Sequence, residues 1–213
     1  MRPVYVFDID DTLIDSAKRY EIGVLPILDE EGISYDAEET VRALAPLGVP
    51  RSAEYFCRVL GVRGSVEAVI ARLENGLLRY YASDVRPRAG VINYLERLRN
   101  EGARLFVLSA SPHKLVDVCL QANRMTELFE QVWTIEDFDG VTKEHPRLFE
   151  AVAARIGVLP SAVHYFDDST VALRNAKKVG FRTYAVSAAQ SKIELHELQT
   201  QHVAFIKSFE DLI

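Results

Sequence analysis

Val4-Tyr5-Val6-Phe7-Asp8-Ile9-Asp10-Asp11-Thr12-Leu13 reads as a buried strand that runs abruptly into acid. Four apolar or aromatic residues in succession, without polar alternation, suit a strand covered on both faces, as in a parallel sheet. In an extended segment Asp8 and Asp10 point to the same side, so their carboxylates converge. Two carboxylates held close ionise together only at a cost unless a cation or a shared proton intervenes. The plainer alternative is that acids after a strand cap the next helix, a role open to Asp11 and Asp15.

Outward from this stretch, five more runs have the same β-rich character: Arg104–Leu108, Gln131–Thr134, Val163–Phe166, Arg182–Val186 and Val203–Ile206. Amphipathic segments separate them. Gly90–Asn100 and His113–Asn123 carry helical periodicity, Glu144–Ile156 is stopped by Gly157, and Ser169–Val179 by Gly180. Strand–helix–strand alternation predicts an α/β fold with a doubly wound, mostly parallel sheet. From Ser16 to Ser83 the alternation lapses into helical patterns broken at Gly23, Pro26, Gly32, Pro46–Pro50 and Gly61–Gly64. An insertion of about 70 residues is too long for a loop and predicts a small helical subdomain. The expected division is 1–15 with 84–213 as the α/β core and 16–83 as a helical cap, hinged near Asp15–Lys18 and Ser83–Arg88. Ligands of such sheets bind at the carboxyl ends of the strands, so the insertion is expected to cover the site.

Composition narrows the function classes. The 213 residues are 48% apolar and 26% charged, with a net charge of −6 and scattered Lys and Arg, which disfavours binding to polymeric nucleic acid. The apolar run before Asp8 is far shorter than a signal peptide or a membrane helix requires, so a cytoplasmic location without a membrane partner is expected. Cys57 and Cys119 read as reduced core thiols.

Chemistry-bearing residues recur at the ends of other strands. Ser109, with the backbone N–H of Ala110 beside it, closes the second strand just before a helix, a ready anion site. Lys143 follows in Val141-Thr142-Lys143-Glu144, and Asp167-Asp168 end the run Tyr165-Phe166. Carboxylates for a cation, a hydroxyl and amides for an anion, and a lysine between them describe a phosphate–magnesium site.

In these four pieces the sequence resembles the haloacid dehalogenase (HAD) superfamily, in particular its phosphatase branch with an α-helical cap between the first and second motifs. Asp8-Ile9-Asp10-Asp11-Thr12-Leu13 is similar to the first motif, Ser109 to the second, Lys143 to the third and Asp167-Asp168 to the fourth. The 34-residue step from Ser109 to Lys143 leaves no room for the larger cap that some relatives insert there.

The resemblance implies a Mg2+-dependent phosphatase acting on a small phosphorylated metabolite. Asp8 is then the nucleophile that becomes an aspartyl phosphate, and Asp10 the general acid and base. Asp8, Asp168 and the Asp10 carbonyl hold Mg2+. Asp167 is either an indirect metal ligand through water or the group that orients Lys143. Ser109, the Ala110 amide and Lys143 hold the phosphoryl oxygens. Many relatives carry a further Asp where this chain has Val171 and Ala172, and Asp167 is placed to supply that charge. Asp10 favours C–O–P substrates, because it protonates a leaving oxygen.

Arg51, in Leu47-Gly48-Val49-Pro50-Arg51-Ser52, is the candidate substrate contact of the cap, against the simpler reading of a solvated cation. Tyr55, Phe56, Tyr80 and Tyr81 are expected to pack the cap, and His113 and His145 to be structural or solvent-facing. Alternatives on the same scaffold are a phosphomutase using phospho-Asp8 and a catalytically silent, regulatory phosphate-binding protein. A signalling receiver is disfavoured by Asp10 and the long insertion.

Overall fold

The computed structural model describes residues 2–44, 47–188 and 192–213, so the expected helix break at Pro46 lies outside the described residues. The chain divides into two compact units, one made of the segment up to Asp15 with Arg86–Ile213, the other of Ser16–Val85.

The first unit is built on β1 (Val4–Phe7), β4 (Arg104–Ser109), β5 (Gln131–Thr134), β6 (Val163–Asp167), β7 (Arg182–Val186) and β8 (Ala204–Ile206), after the short β2 (Ile14–Asp15) and β3 (Arg86–Pro87). The sheet runs β5-β4-β1-β6-β7-β8. Every pairing in it is parallel. Parallel strands need crossovers, and helices α6 (Val91–Asn100), α7 (His113–Ala122), α8 (Pro146–Ile156), α9 (Thr170–Val179) and α10 (Lys192–Gln201) supply them.

Burial explains the near-continuous apolar runs. Val4, Val6, Phe106, Leu108, Trp133, Val163 and Tyr165 share one core cluster with Leu148, Phe149 and Val152 of α8 and Ala172, Leu173 and Ala176 of α9. The opposite side chains of β1, Tyr5 and Phe7, meet an aromatic group instead. Phe7 packs on Phe166 with ring centroids 4.8 Å apart, Phe166 stacks on Tyr184 at 4.5 Å, and Phe209 stacks on Phe166 at 6.2 Å. Trp133 is core, stacked on Phe106. Cys119 is buried, Cys57 half-buried, and both are free thiols.

Strand order decides where a ligand can enter. The chain leaves β1 toward β4 and β5, then crosses back to β6 on the other side of β1. That reversal opens a crevice outside the carboxyl ends of β4, β1 and β6, the usual ligand position in such sheets. The register puts three acidic or hydroxyl positions at this level. Phe7 pairs with Val107 and with Phe166, so Asp8 continues β1 level with Leu108 and Asp167, and Ser109 comes one residue further.

Some details differ from the sequence reading, including β8, which begins at Ala204 rather than Val203. Helix α8 begins at Pro146, with His145 as its N-cap, rather than at Glu144. Proline lacks the N–H that a first-turn residue leaves unpaired, so it suits that position. The first unit also contains a two-residue ladder, Ile14↔Pro87 and Asp15↔Arg86, that joins the segments leading out of and back into the core. The second unit accordingly runs to Val85 rather than Ser83.

The second unit is helical: α1 (Arg19–Gly23), α2 (Pro26–Glu31), α3 (Ala37–Leu44), α4 (Val49–Arg58) and α5 (Val66–Ser83). The Oγ of Ser65 caps α5 by accepting the Ala68 N–H. Helix α1 approaches α5 so closely that a Cβ on Gly76 would lie 2.1 Å from the Gly23 carbonyl oxygen. Only glycine permits that backbone contact. Phe56, Tyr80 and Tyr81 are buried and Tyr55 is half-buried, the packing role expected of them. Arg51 is exposed in the first turn of α4. Among the described residues no helix is long and apolar enough to cross a membrane.

Candidate active site

Asp8 extends β1 by one residue, its N–H donating to the Phe166 carbonyl at 2.9 Å. The chain then closes into a tight turn in which the Ile9 carbonyl accepts from the N–H groups of Thr12, Leu13 and Ile14. Asp11 takes a left-handed conformation, φ 57°, which Asp tolerates better than most residues. The Arg88 guanidinium fastens this turn from outside, donating to the Asp11 carbonyl and, at 2.5 Å, to the Ser187 carbonyl. Regular strand geometry ends at Phe7, and Asp10 stays close enough to Asp8 for its charge to act on the Asp8 carboxyl. The carboxylate of Asp10 accepts a hydrogen bond from the Ser111 hydroxyl at 2.6 Å.

The carboxylates that gather with Asp8 are those at the end of β6. Ligand oxygens of Asp8, Asp167 and Asp168 all lie within 4.8 Å of one another. Lys143 reaches them from the loop before α8, its Nζ donating to Asp8 Oδ1 at 2.5 Å and to Asp167 Oδ2 at 2.8 Å. Asp8 is 5% exposed, Lys143 8% and Asp167 1%. The oxygens of Asp167 are well supplied with donors. Oδ2 also accepts from the Tyr165 hydroxyl, and Oδ1 accepts the Ser169 N–H at 2.7 Å. Asp167 thus meets Lys143 directly while also offering an oxygen to the acidic group it forms with Asp8 and Asp168.

Ser109 ends β4, fully buried, and its Oγ accepts the Ser111 N–H at 3.0 Å. A hydroxyl that accepts through oxygen keeps its hydrogen for another acceptor. Ala110 follows at an exposed position. His113 lies outside this group, its Nε2 2.7 Å from Asp137 Oδ2, where it ties the start of α7 to the turn after β5. His145 is exposed at the N-cap of α8.

Ser111, Tyr165 and Arg88 escaped the sequence reading. Tyr165 could have been found, since it precedes Asp167 by two and shares its face of β6.

Electrostatics report an excess of negative charge. Burial pushes the Asp8 carboxyl up to about 7; Lys143 opposes the shift, while the charges of Asp167 and Asp10 add to it. Asp168 is pushed up to about 8, first by burial and then by Asp167, Asp8 and Asp11. For Lys143 burial disfavours the ammonium, but Asp167 and Asp8 outweigh it and its pKa rises. One ammonium facing three carboxylates leaves charge that a divalent cation would neutralise, so the donor set fits a hard, oxygen-ligated metal.

A pH effect on stability follows. Both aspartates have folded pKa values above the ordinary 3.8, so the folded state binds extra protons between about pH 4 and pH 8. Their contribution is complete below the unfolded pKa and is lost as pH rises through about 7 and about 8. In chelator, the melting temperature is expected to fall from about pH 5 to about pH 8.5, and added Mg2+ to raise it more at the alkaline end. Thermal melts across that range check this; a flat profile indifferent to Mg2+ would contradict it.

A parallel sheet whose carboxyl edge sets a lysine among aspartates, beside a buried serine, defines an α/β enzyme core with a carboxylate–lysine centre. The chain belongs to the haloacid dehalogenase-like hydrolase family, whose sequence profile matches residues 5–186. It is 27% identical over 194 residues to a glyceraldehyde 3-phosphate phosphatase of Pyrococcus furiosus, covering 84% of this chain and 78% of that protein. It is 24% identical over 215 residues to a phosphoglycolate phosphatase of Rhodobacter capsulatus, covering 100% of this chain and 95% of that one. In fold it is similar to CbbY from Rhodobacter sphaeroides, solved in complex with phosphate. That likeness has a TM-score of 0.79 and 19% identity, over 100% of this chain and 96% of the other.

Proposed function

We propose that this protein is a magnesium-dependent phosphatase that hydrolyses a small phosphomonoester through a phosphoryl group carried on Asp8. The observation that carries the reading is the Lys143 ammonium 2.5 Å from Asp8 Oδ1 within a cluster of carboxylates at the sheet's carboxyl edge. The two phosphatases named above, similar over most of this chain, support the same reaction class.

In the first step an Asp8 carboxylate oxygen attacks phosphorus in line, and the bond from phosphorus to the ester oxygen breaks. Asp10 gives its proton to that departing oxygen. In the second step Asp10 takes a proton from water as the water attacks phospho-Asp8, which returns the carboxylate and releases phosphate. Lys143, the Ser109 hydroxyl and the Ala110 N–H hold the non-bridging oxygens and offset the repulsion between phosphate and aspartates. Mg2+, held by the Asp8 and Asp168 carboxylates and the Asp10 carbonyl, would supply charge neutralisation to the phosphoryl group. Arg51, exposed on the helical unit, is the proposed substrate contact.

A screen of small phosphorylated metabolites, with Mg2+ and with chelator, tests the proposal. Phosphate release from at least one phosphomonoester, abolished by chelator, is expected. Turnover that chelator leaves intact would refute the metal dependence. Interconversion of sugar phosphates that needs a bisphosphate primer and releases no phosphate would make the protein a phosphomutase instead.

A further inference from the structure

Lys143 does its work from a loop. Between the turn Ile135–Phe138 and α8 the main chain has no regular structure. Its internal bonds are few: the Gly140 N–H to the Ile135 carbonyl at 3.2 Å, the Val141 N–H to the Phe138 carbonyl at 3.0 Å, the His145 N–H to the Thr142 carbonyl at 3.1 Å, and the Glu144 N–H to the Thr142 hydroxyl at 3.4 Å. None of these bonds is made by the main chain of Lys143. The ammonium nevertheless has to stand between Asp8 and Asp167.

The bond that reaches the Lys143 main chain comes from α9. Asn175 Nδ2 donates to the Lys143 carbonyl at 3.1 Å. Asn175 is 5% exposed and sits on the inner stripe of α9, beside Ala172, Leu173 and Ala176, all buried. An amide in such an apolar stripe is costly unless its groups are paired. Here the loop carbonyl takes one donor, and Asn175 Oδ1 accepts from Lys178 Nζ at 3.4 Å.

The same helix also governs the other end of the lysine. Helix α9 is capped by Ser169, whose Oγ accepts the Ala172 N–H and whose own N–H donates to Asp167 Oδ1. Asp167 in turn accepts from the Lys143 ammonium. One rigid element thus fixes both the side-chain tip of Lys143, through Asp167, and its main chain, through Asn175.

We propose that Asn175 is a positioning residue that holds the Lys143 main chain and so sets its ammonium against Asp8. The proposal rests on the reading of Lys143 as a phosphate-holding group and goes beyond it by naming what places that group.

The test uses the full chain, p-nitrophenyl phosphate as substrate and inorganic phosphate as inhibitor. Asn175→Ala is expected to lower kcat/KM by about 10- to 100-fold and to weaken phosphate inhibition similarly. Asn175→Asp, nearly isosteric but without the donor, is expected to act in the same direction, and serves if the alanine variant does not fold. The discriminating measurement is a double-mutant cycle with Lys143→Met. Losing Asn175 should cost little once Lys143 is gone, whereas a purely structural role would cost as much in either background. Equal losses in both backgrounds, or Asn175 variants within about 2-fold of wild type, overturn the positioning role. Full activity in Lys143→Met alone overturns instead the reading of Lys143 on which the proposal stands.

Discussion

Asp8→Asn protein is expected to fold and to lose turnover by about 10⁴-fold or more, because an amide cannot attack phosphorus and form the covalent intermediate. The fold should tolerate the change for an electrostatic reason. Burial disfavours the charged form of Asp8 in the folded state and pushes its pKa up to about 7, and its neighbours include Asp167 and Asp10. A neutral amide removes that repulsion. Lys143 keeps its bond to Asp167. The melting temperature in chelator should therefore equal or exceed the wild-type value above about pH 7, where Asp8 would otherwise be ionised. Steady-state kinetics and melts at two pH values check both halves. Retained turnover would remove the covalent role of Asp8, and a collapsed fold would remove the electrostatic argument.

Lys143→Met should be nearly as damaging to activity and, unlike Asp8→Asn, damaging to the fold. Methionine keeps much of the aliphatic volume and removes the ammonium bonded to both Asp8 and Asp167. Removing one partner of a buried ion pair leaves uncompensated charge and typically costs about 3–5 kcal/mol. The remaining carboxylates respond by holding protons more tightly, so Asp8 is less often an ionised nucleophile at neutral pH. Loss of a positioned charge on the phosphoryl oxygens adds a factor of about 10²–10³. Turnover should fall by about 10³-fold or more, and the stability deficit measured in chelator should shrink as pH falls and the carboxylates become neutral. A deficit that grows toward acid pH would show that the site is not dominated by carboxylate repulsion.

The large features of the fold were legible because a strand buried on both faces leaves a nearly unbroken apolar run. Val4–Phe7 carries that mark, and Gln131–Thr134 and Arg182–Val186, less apolar but rich in β-formers, also form strands with the expected bounds. The two-residue strands Ile14–Asp15 and Arg86–Pro87 are too short for any periodic signal, and their pairing depends on two distant segments meeting.

The site divides along similar lines. Asp8, Lys143, Asp167 and Asp168 were readable because each follows or neighbours a recognisable strand, and the structure brings them together. Ser111 was not. Its hold on Asp10 links loops 101 positions apart, and a serine near a helix start has many ordinary uses. Arg88 left even less trace, since its acceptors are main-chain carbonyls, which every residue presents. Asn175 was the missed opportunity: an amide within the otherwise apolar stripe Ala172, Leu173, Ala176 signals a buried partner, although the sequence does not say which.

The covalent step can be caught directly by quenching wild-type protein in mid-turnover with a radiolabelled phosphomonoester, reducing acyl phosphates with borohydride and mapping the peptides. Phosphoryl label on the protein before reduction is predicted, and after reduction, which releases that phosphate, homoserine at position 8 and nowhere else. Product formation without label on the protein, or label on any other residue, would contradict it.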